Sequence, residues 1–152
     1  MTDKELIIMA MKAREMAYTP YSHHKVGAAL LLEDGEVVLG CNIENAGYSA
    51  TNCAERTAFF KAVSEGKYKF KKIAVVGGLE DKESLDICAP CGVCRQVMME
   101  FCDPKTFEIV LAKVDNALNV EKITANDIEP IVTTLEEILP YGFGPVNLLL
   151  EK

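Results

Sequence analysis

The sequence contains no tryptophan and no excess of positive charge. Lysine and arginine total 16 against 23 aspartates and glutamates, so the formal net charge is −7 at pH 7. Proteins that bind nucleic acids need a basic face to neutralise phosphates. The one basic cluster, "KYKFKK" at residues 67–72, is interpreted as a solvated turn, because isolated charge runs usually contact only water. We therefore expect no nucleic-acid partner.

Long apolar runs and a secretory leader are also missing. No apolar stretch approaches the ~20 residues that cross a bilayer, and the start, "MTDKELIIMAMKAREMAY", lacks the basic, apolar and cleavage regions of a signal peptide. This start instead predicts an amphipathic helix with a capping box formed by Thr2 and Glu5. We expect a cytoplasmic protein without membrane association. Its six cysteines would stay reduced there, which favours metal binding or catalysis where they cluster.

The 152 residues suit one domain, and we assign residues 1–152 to it. Patterns of apolar and turn residues predict the order α β β α β α β, then a weak strand and a short helix. The features behind this order are a hairpin at Asp34 and Gly35, a helix from Cys53 to Glu65, the strands "KIAVVGG" and "TFEIVLA", a helix from about Cys91, a weak strand "NVEKIT", and a helix in "TTLEEILP" capped by Thr134 and Glu137. Helices packed on a mixed sheet make this an α/β domain.

Three cysteines lie at predicted helix starts. Cys91 and Cys94 form a Cys-x-x-Cys pair after Pro90, and Cys53 begins the other helix. A helix N-terminus lowers thiol pKa values, and this spacing lets two thiolates hold one zinc ion. Three protein ligands would leave the fourth tetrahedral position to water, as in catalytic zinc sites.

Two other interpretations of these cysteines stay open. A closed structural zinc site needs a fourth ligand, for which the sequence offers Cys41, Cys88, Cys102, His23 and His24. A redox dithiol would use Cys91 and Cys94 without Cys53. Neither explains Glu55, only two residues after Cys53.

Three segments resemble the cytidine deaminases of the small homotetrameric type: "YTPYSHHKVGAALL", "CNIENAGYSATNCAERTAFFKAVSEG" and "PCGVCRQV". Cys-Ala-Glu with Pro-Cys-x-x-Cys is the signature of zinc-dependent nucleobase deaminases. The resemblance implies a three-layer α/β/α fold with a mixed central sheet flanked by helices. It further implies a homotetramer with one Zn²⁺ per subunit, held by Cys53, Cys91 and Cys94.

The activity implied by the resemblance is hydrolytic deamination of the free nucleosides cytidine and 2′-deoxycytidine in pyrimidine salvage. Zinc hydroxide would attack C4 of the base, while Glu55 moves a proton to N3 and then to the leaving ammonia. Asn42 and Glu44 would hold the sugar, and the backbone N–H of Ala54 could read the base. Three thiolates give a zinc site a net charge of −1. We expect Arg56 to offset it by hydrogen bonds to sulfur, with help from Arg95.

In similar enzymes Ala46 and Tyr48 reach a neighbouring subunit's site, and an aromatic residue corresponding to Phe143 stacks on the base from another subunit. Two features depart from the family. His24 stands where a phenylalanine normally flanks the nucleoside, and residues 115–137 form a longer segment than expected. They leave room for an alternative substrate, a cytosine-nucleoside analogue or antibiotic. The alternative from another class is a zinc-stabilised binding protein without activity.

Overall fold

The computed structural model describes residues 1–148, which form one five-stranded sheet with helices on both faces. Its elements are α1 (Asp3–Arg14), β1 (His24–Leu32), β2 (Val37–Cys41), α2 (Ala54–Ser64), β3 (Phe70–Leu79), α3 (Gly92–Phe101), β4 (Glu108–Val114), β5 (Ile128–Thr134) and α4 (Leu135–Ile138). The strand order is β2-β1-β3-β4-β5. Strands β3 and β4 run parallel, whereas the other neighbours are antiparallel. The prediction of a mixed sheet is confirmed.

The predicted hairpin joins β1 to β2. Gly35 has a φ of +93°, a backbone conformation that glycine adopts without steric cost. The Asp34 side chain accepts a hydrogen bond from Glu36 N. The two strands pair from Leu31 with Val37 to Gly27 with Cys41.

Each strand separates two hydrophobic cores, because successive side chains point to opposite faces. Along β1, Ala28 and Leu30 pack on the face covered by α2 and α3, and Ala29 and Leu31 pack on the face covered by α1. This arrangement confirms the three-layer α/β/α fold.

Helix α2 lies unusually close to β2. A Cβ atom at Gly40 would lie 2.4 Å from Ala54 O and 2.6 Å from Ala58 N. Only glycine therefore fits at this crossing. The contact fixes the first turn of α2, which carries Cys53 and Glu55.

The weak strand predicted at "NVEKIT" is wrong. Val120–Lys122 forms a 3-10 turn, and the strand that follows β4 is Ile128–Thr134. Pro130 lies inside this strand, and a proline in a sequence normally argues against a strand. The proline is tolerated because β5 is an edge strand, where one side of the backbone needs no partner.

The capped helices agree with the sequence. Thr2 with Glu5 and Thr134 with Glu137 both form complete capping boxes. Helices α2 and α3 begin immediately after Cys53 and Cys91. Over residues 1–148, every helix is too short or too polar to cross a membrane.

Candidate metal centre

Three sulfur atoms meet where α2 and α3 begin. Cys53 Sγ lies 3.8 Å from Cys91 Sγ, which lies 3.6 Å from Cys94 Sγ, and all three are within 4.8 Å of one another. Tetrahedral zinc with Zn–S bonds of about 2.3 Å would separate its sulfur ligands by about 3.8 Å. The sulfur atoms are therefore spaced as a zinc ion requires.

The positions of Cys53 and Cys91 on their helices also favour ligation. Both are N-cap residues, yet neither side chain makes a capping hydrogen bond. Serine, threonine, aspartate and asparagine are the residues that stabilise this position. A cysteine at this position gives up the stabilising side-chain hydrogen bond of an N-cap. Its sulfur atom instead lies where the N-termini of the two helices meet.

A closed four-ligand site is not supported by the part of the chain that the structure describes. The cluster contains three candidate ligands and includes none of the five further cysteines and histidines considered above. His23 Nδ1 instead lies 3.1 Å from Glu80 Oε1. A simple dithiol leaves the approach of Cys53 to Cys91 unexplained. The geometry favours three ligands and one open position.

Arg56 contacts the sulfur cluster as expected. Its Nη2 donates to Cys53 Sγ at 3.2 Å. Burial lowers the pKa of the Arg56 guanidinium, but hydrogen bonds to Cys53 and Cys94 outweigh burial and raise that pKa above its usual value. The Nε atom is buried without a hydrogen-bond partner among residues 1–148, and no contact explains that cost.

The thiols differ in their readiness to ionise. A hydrogen bond from Cys94, supported by Arg56 and Cys91, lowers the pKa of the Cys53 thiol to about 5. The pKa of Cys94 is raised, first because its thiol donates to Cys53 and second because it is buried. The hydrogen-bonded sulfur pair therefore favours a thiolate beside Arg56, and metal loading must release the remaining thiol protons of the cluster.

Glu55 lies in the first turn of α2 and is only 4% exposed. Burial raises the pKa of its carboxyl, and the adjacent Cys53 thiolate raises it further. A carboxyl with a raised pKa can accept a proton and return it near neutral pH. The side chain thus has the properties of a general acid and base beside the sulfur cluster.

Asn42 and Glu44 follow β2; Asn42 bonds to the start of β1, and Glu44 bonds to the loop before β1. The buried Asn42 side chain accepts from Val26 N and donates to His24 O, both at 2.9 Å. Glu44 Oε1 accepts from the backbone N–H groups of Tyr21 and Ser22 at 3.0 and 3.1 Å. Both side chains are already engaged within the protein, which the sequence did not reveal.

The segment that carries Glu44 adjoins the metal centre. Ile43 exchanges two backbone hydrogen bonds of 3.0 Å with Asn52, the residue before Cys53. Asn45 N also donates to Thr51 Oγ1 at 3.1 Å. The loop after β2 is consequently paired with the chain that enters α2.

The remaining predicted site residues occupy different surroundings. Ala54 is buried as the first residue of α2. His24 is exposed at the start of β1, where strand alternation places it on the same sheet face as Ala28 and Leu30. Ala46, Tyr48 and Phe143 are exposed, the last two by 76% and 58%.

Arg95 differs from expectation. Its Nε donates to Pro90 O at 2.8 Å and its Nη1 donates to Ile138 O at 2.7 Å. The guanidinium therefore ties the turn before α3 to α4 and supports the position of Cys91. Both of these hydrogen bonds go to backbone carbonyls rather than to sulfur.

The comparisons with known proteins agree with this geometry. A family model described as the cytidine and deoxycytidylate deaminase zinc-binding region matches residues 1–110. A cytidine deaminase from Sporosarcina psychrophila is 48% identical over 145 residues, covering 95% of this chain and 93% of that protein. Another from Halalkalibacterium halodurans is 46% identical over 137 residues, covering 90% and 98%. A crystal structure of cytidine deaminase from Burkholderia pseudomallei matches with a TM-score of 0.76 and 46% identity, covering 94% of this chain and all of that chain.

Proposed function

Because the chain belongs to the cytidine and deoxycytidylate deaminase family, we propose that it hydrolyses cytidine and 2′-deoxycytidine to uridine and 2′-deoxyuridine with release of ammonia. It is a zinc-dependent enzyme. The observation that carries this conclusion is the zinc-sized sulfur triad beside the buried Glu55.

Cys53, Cys91 and Cys94 would hold one zinc ion per subunit. When bound, the ion supplies a nucleophile by lowering the pKa of water towards neutrality. Arg56 donates to Cys53 sulfur and places positive charge beside three negative ligands. In this role it keeps the cluster from carrying an uncompensated charge.

Glu55 carries the protons of the reaction. Replacing the amino group at C4 by oxygen requires one proton to reach N3 and another to reach the leaving amine, and both come from the attacking water. The raised pKa of the Glu55 carboxyl suits it to accept each proton and to deliver it. Its burial keeps bulk water away from the transfer.

We assign the substrate's sugar to Asn42 and Glu44 and its base to the N–H of Ala54, with His24 beside the nucleoside. The pairing of Ile43 with Asn52 supports this assignment, since it joins the Glu44 loop to the metal centre. A carboxylate at the sugar would repel a phosphate. A free nucleoside is therefore the favoured substrate, and pyrimidine salvage its setting.

We further propose that residues 1–152 act as one domain in a homotetramer. The exposure of Tyr48 and Phe143, together with the exposed Ala46, supports their contact with a neighbouring subunit's site. The net charge of −7 supports the absence of a nucleic-acid partner. The gathering of Cys53, Cys91 and Cys94 as candidate metal ligands is compatible with a reducing, cytoplasmic location. The comparisons do not favour the analogue deaminase or the inactive binding protein.

Zinc analysis combined with an ultraviolet assay on cytidine tests the function. Glu55→Gln should keep about one zinc per subunit and lose ~10²-fold or more in kcat, as for a positioned general acid and base. Glu65→Gln is the matched control, because it removes an exposed carboxylate at the other end of α2. Bound zinc without turnover by the wild-type protein would favour a binding module. Full activity of Glu55→Gln would refute the proton-transfer role.

A further inference from the structure

The Glu44 carboxylate is held by a small set of donors from one loop. Besides the two backbone N–H groups on Oε1, the Ser22 hydroxyl donates to Oε2. The same hydroxyl accepts from His24 N at 3.0 Å. Ser22 therefore connects Glu44 to the start of β1 through a single oxygen atom.

The Glu44 carboxylate has one hydrogen-bond acceptor site that no protein donor occupies among the hydrogen bonds of residues 1–148. An ionised carboxylate has about four lone-pair sites, two on each oxygen. Oε1 uses both of its sites on backbone N–H groups, and Oε2 uses one on Ser22. One acceptor site on Oε2 remains, and it suits a hydroxyl donor from a ligand.

The surroundings of Glu44 keep it in the form that accepts. The Ser22 hydroxyl, followed by the backbone donors, lowers the pKa of the Glu44 carboxyl. The carboxylate thus stays ionised at neutral pH, when it can only accept hydrogen bonds. A neutral hydroxyl is a suitable partner, whereas a phosphate is not.

Glu44 and Ser22 line a surface cavity of about 370 Å³ beside the chain that enters α2. The other lining residues are Tyr21, Asn45, Tyr48 and Thr51. Tyr21 and Tyr48 form an edge-to-face pair with ring centroids 6.1 Å apart. The cavity therefore places one charged acceptor beside the aromatic ring of Tyr21, a combination that suits a sugar ring.

We propose that Ser22 is a positioning residue for substrate specificity: its hydroxyl fixes the Glu44 carboxylate so that Oε2 accepts one ring hydroxyl of the nucleoside sugar. This inference rests on the proposed function. Without the Ser22 bond, the backbone N–H groups hold only Oε1, and the carboxylate pivots about that oxygen. Part of the free energy of substrate binding is then spent on ordering Oε2, so the substrate binds more weakly.

The test compares Ser22→Ala and Ser22→Thr with the wild-type zinc enzyme on cytidine and on 2′,3′-dideoxycytidine. Ser22→Ala should raise KM for cytidine by ~5-fold to 10-fold with kcat within about 2-fold, the scale of the net contribution of one ordinary hydrogen bond. Ser22→Thr should restore KM, because it keeps the hydroxyl. With 2′,3′-dideoxycytidine, which lacks both ring hydroxyls, Ser22→Ala and wild type should agree within about 2-fold.

Ser84→Ala is the matched control. Its hydroxyl also donates to a carboxylate, Asp115 Oδ1 at 2.9 Å, but it lies outside the cavity, and KM should not change. Equal losses with both nucleosides would show that Ser22 supports only the fold and overturn the inference. An unchanged KM for cytidine, or a loss carried by kcat, would also overturn it. If the wild-type protein fails to turn over cytidine, the proposed function itself falls first, before any variant is compared.

Discussion

At the scale of single residues, the candidate site depends on how charge is distributed around sulfur. Cys53 and Cys94 begin from the same chemistry, yet their pKa values move in opposite directions. The difference arises because Cys94 donates to Cys53, and Arg56 places a positive charge beside both sulfur atoms. The pair thereby favours a thiolate, which prepares the cluster to capture a cation.

Arg56→Gln in the metal-free protein should raise the pKa of the Cys53 thiol from about 5 by at least about one pH unit, because a neighbouring positive charge favours the thiolate. The Cys53 thiolate would then be lost at higher pH as the solution is acidified. Thiolate ultraviolet absorbance followed against pH measures this change.

Lys61→Gln is the matched control for the arginine substitution. It removes a positive charge from the last turn of the same helix, where Lys61 Nζ donates to Leu39 O, so the Cys53 titration should stay where it is in the wild type. Equal shifts in both variants would contradict the assignment of Arg56 as the charge partner.

The sequence predicted the cysteine cluster and Glu55 better than the residues that surround Glu44. Cys53, Cys91, Cys94 and Glu55 lie within short segments, so their spacing and the family resemblance bring them together. Ser22 was missed because its bond to Glu44 spans 22 residues and depends on the fold. The β1–β2 register extends only as far as the hydrogen bond from Asn42 N to Val26 O, and beyond it Glu44 N donates to Tyr18 O, so the turn residues of the hairpin do not indicate the partner of Glu44.

At the scale of secondary-structure elements, the site depends on where α2 and α3 begin. Both helices cover the same face of the sheet, and their first turns supply all three sulfur atoms. The close crossing of α2 and β2 at Gly40 sets the height of the α2 N-terminus. Packing in the core thus controls the geometry of the cluster.

Gly40→Ala should destabilise the protein by ~1–3 kcal/mol, the usual cost of overpacking, and should reduce zinc content. The added Cβ would lie 2.4 Å from Ala54 O, so α2 must move and carry Cys53 with it. Thermal unfolding together with metal analysis measures both effects.

Gly47→Ala serves as the control for Gly40→Ala, because its Cβ would meet nothing closer than 3.4 Å. The Gly47 variant should unfold and bind zinc like the wild type. If Gly40→Ala kept wild-type stability and zinc content, the close packing of α2 on β2 would not position the site.

Elements with local signals were predicted correctly, whereas the strand after β4 was not. The Asp34–Gly35 turn, the capping boxes and the helix-start cysteines are each encoded within a few residues. Strand β5 owes its existence to pairing with β4 over Ile128–Thr134. Pro130 opposes that assignment locally, and only the edge position of the strand makes it acceptable.

At the scale of the whole molecule, the two faces of the sheet have different roles. Helix α1 covers one face with an apolar core, and the other face carries the metal centre at the starts of α2 and α3. The loop after β2, which carries Glu44, is joined to the chain that enters α2 by the backbone pairing of Ile43 with Asn52. The three-layer fold thereby gathers the sulfur triad and the buried Glu55 at the starts of α2 and α3.

X-ray absorption at the zinc edge of the purified protein tests the three-ligand centre most directly. The three-cysteine site predicts three sulfur neighbours at about 2.3 Å and one lighter neighbour, oxygen or nitrogen, at about 2.0 Å. This result does not depend on turnover or on the choice of substrate. Four sulfur neighbours, or protein that takes up no zinc, would contradict an open position at Cys53, Cys91 and Cys94.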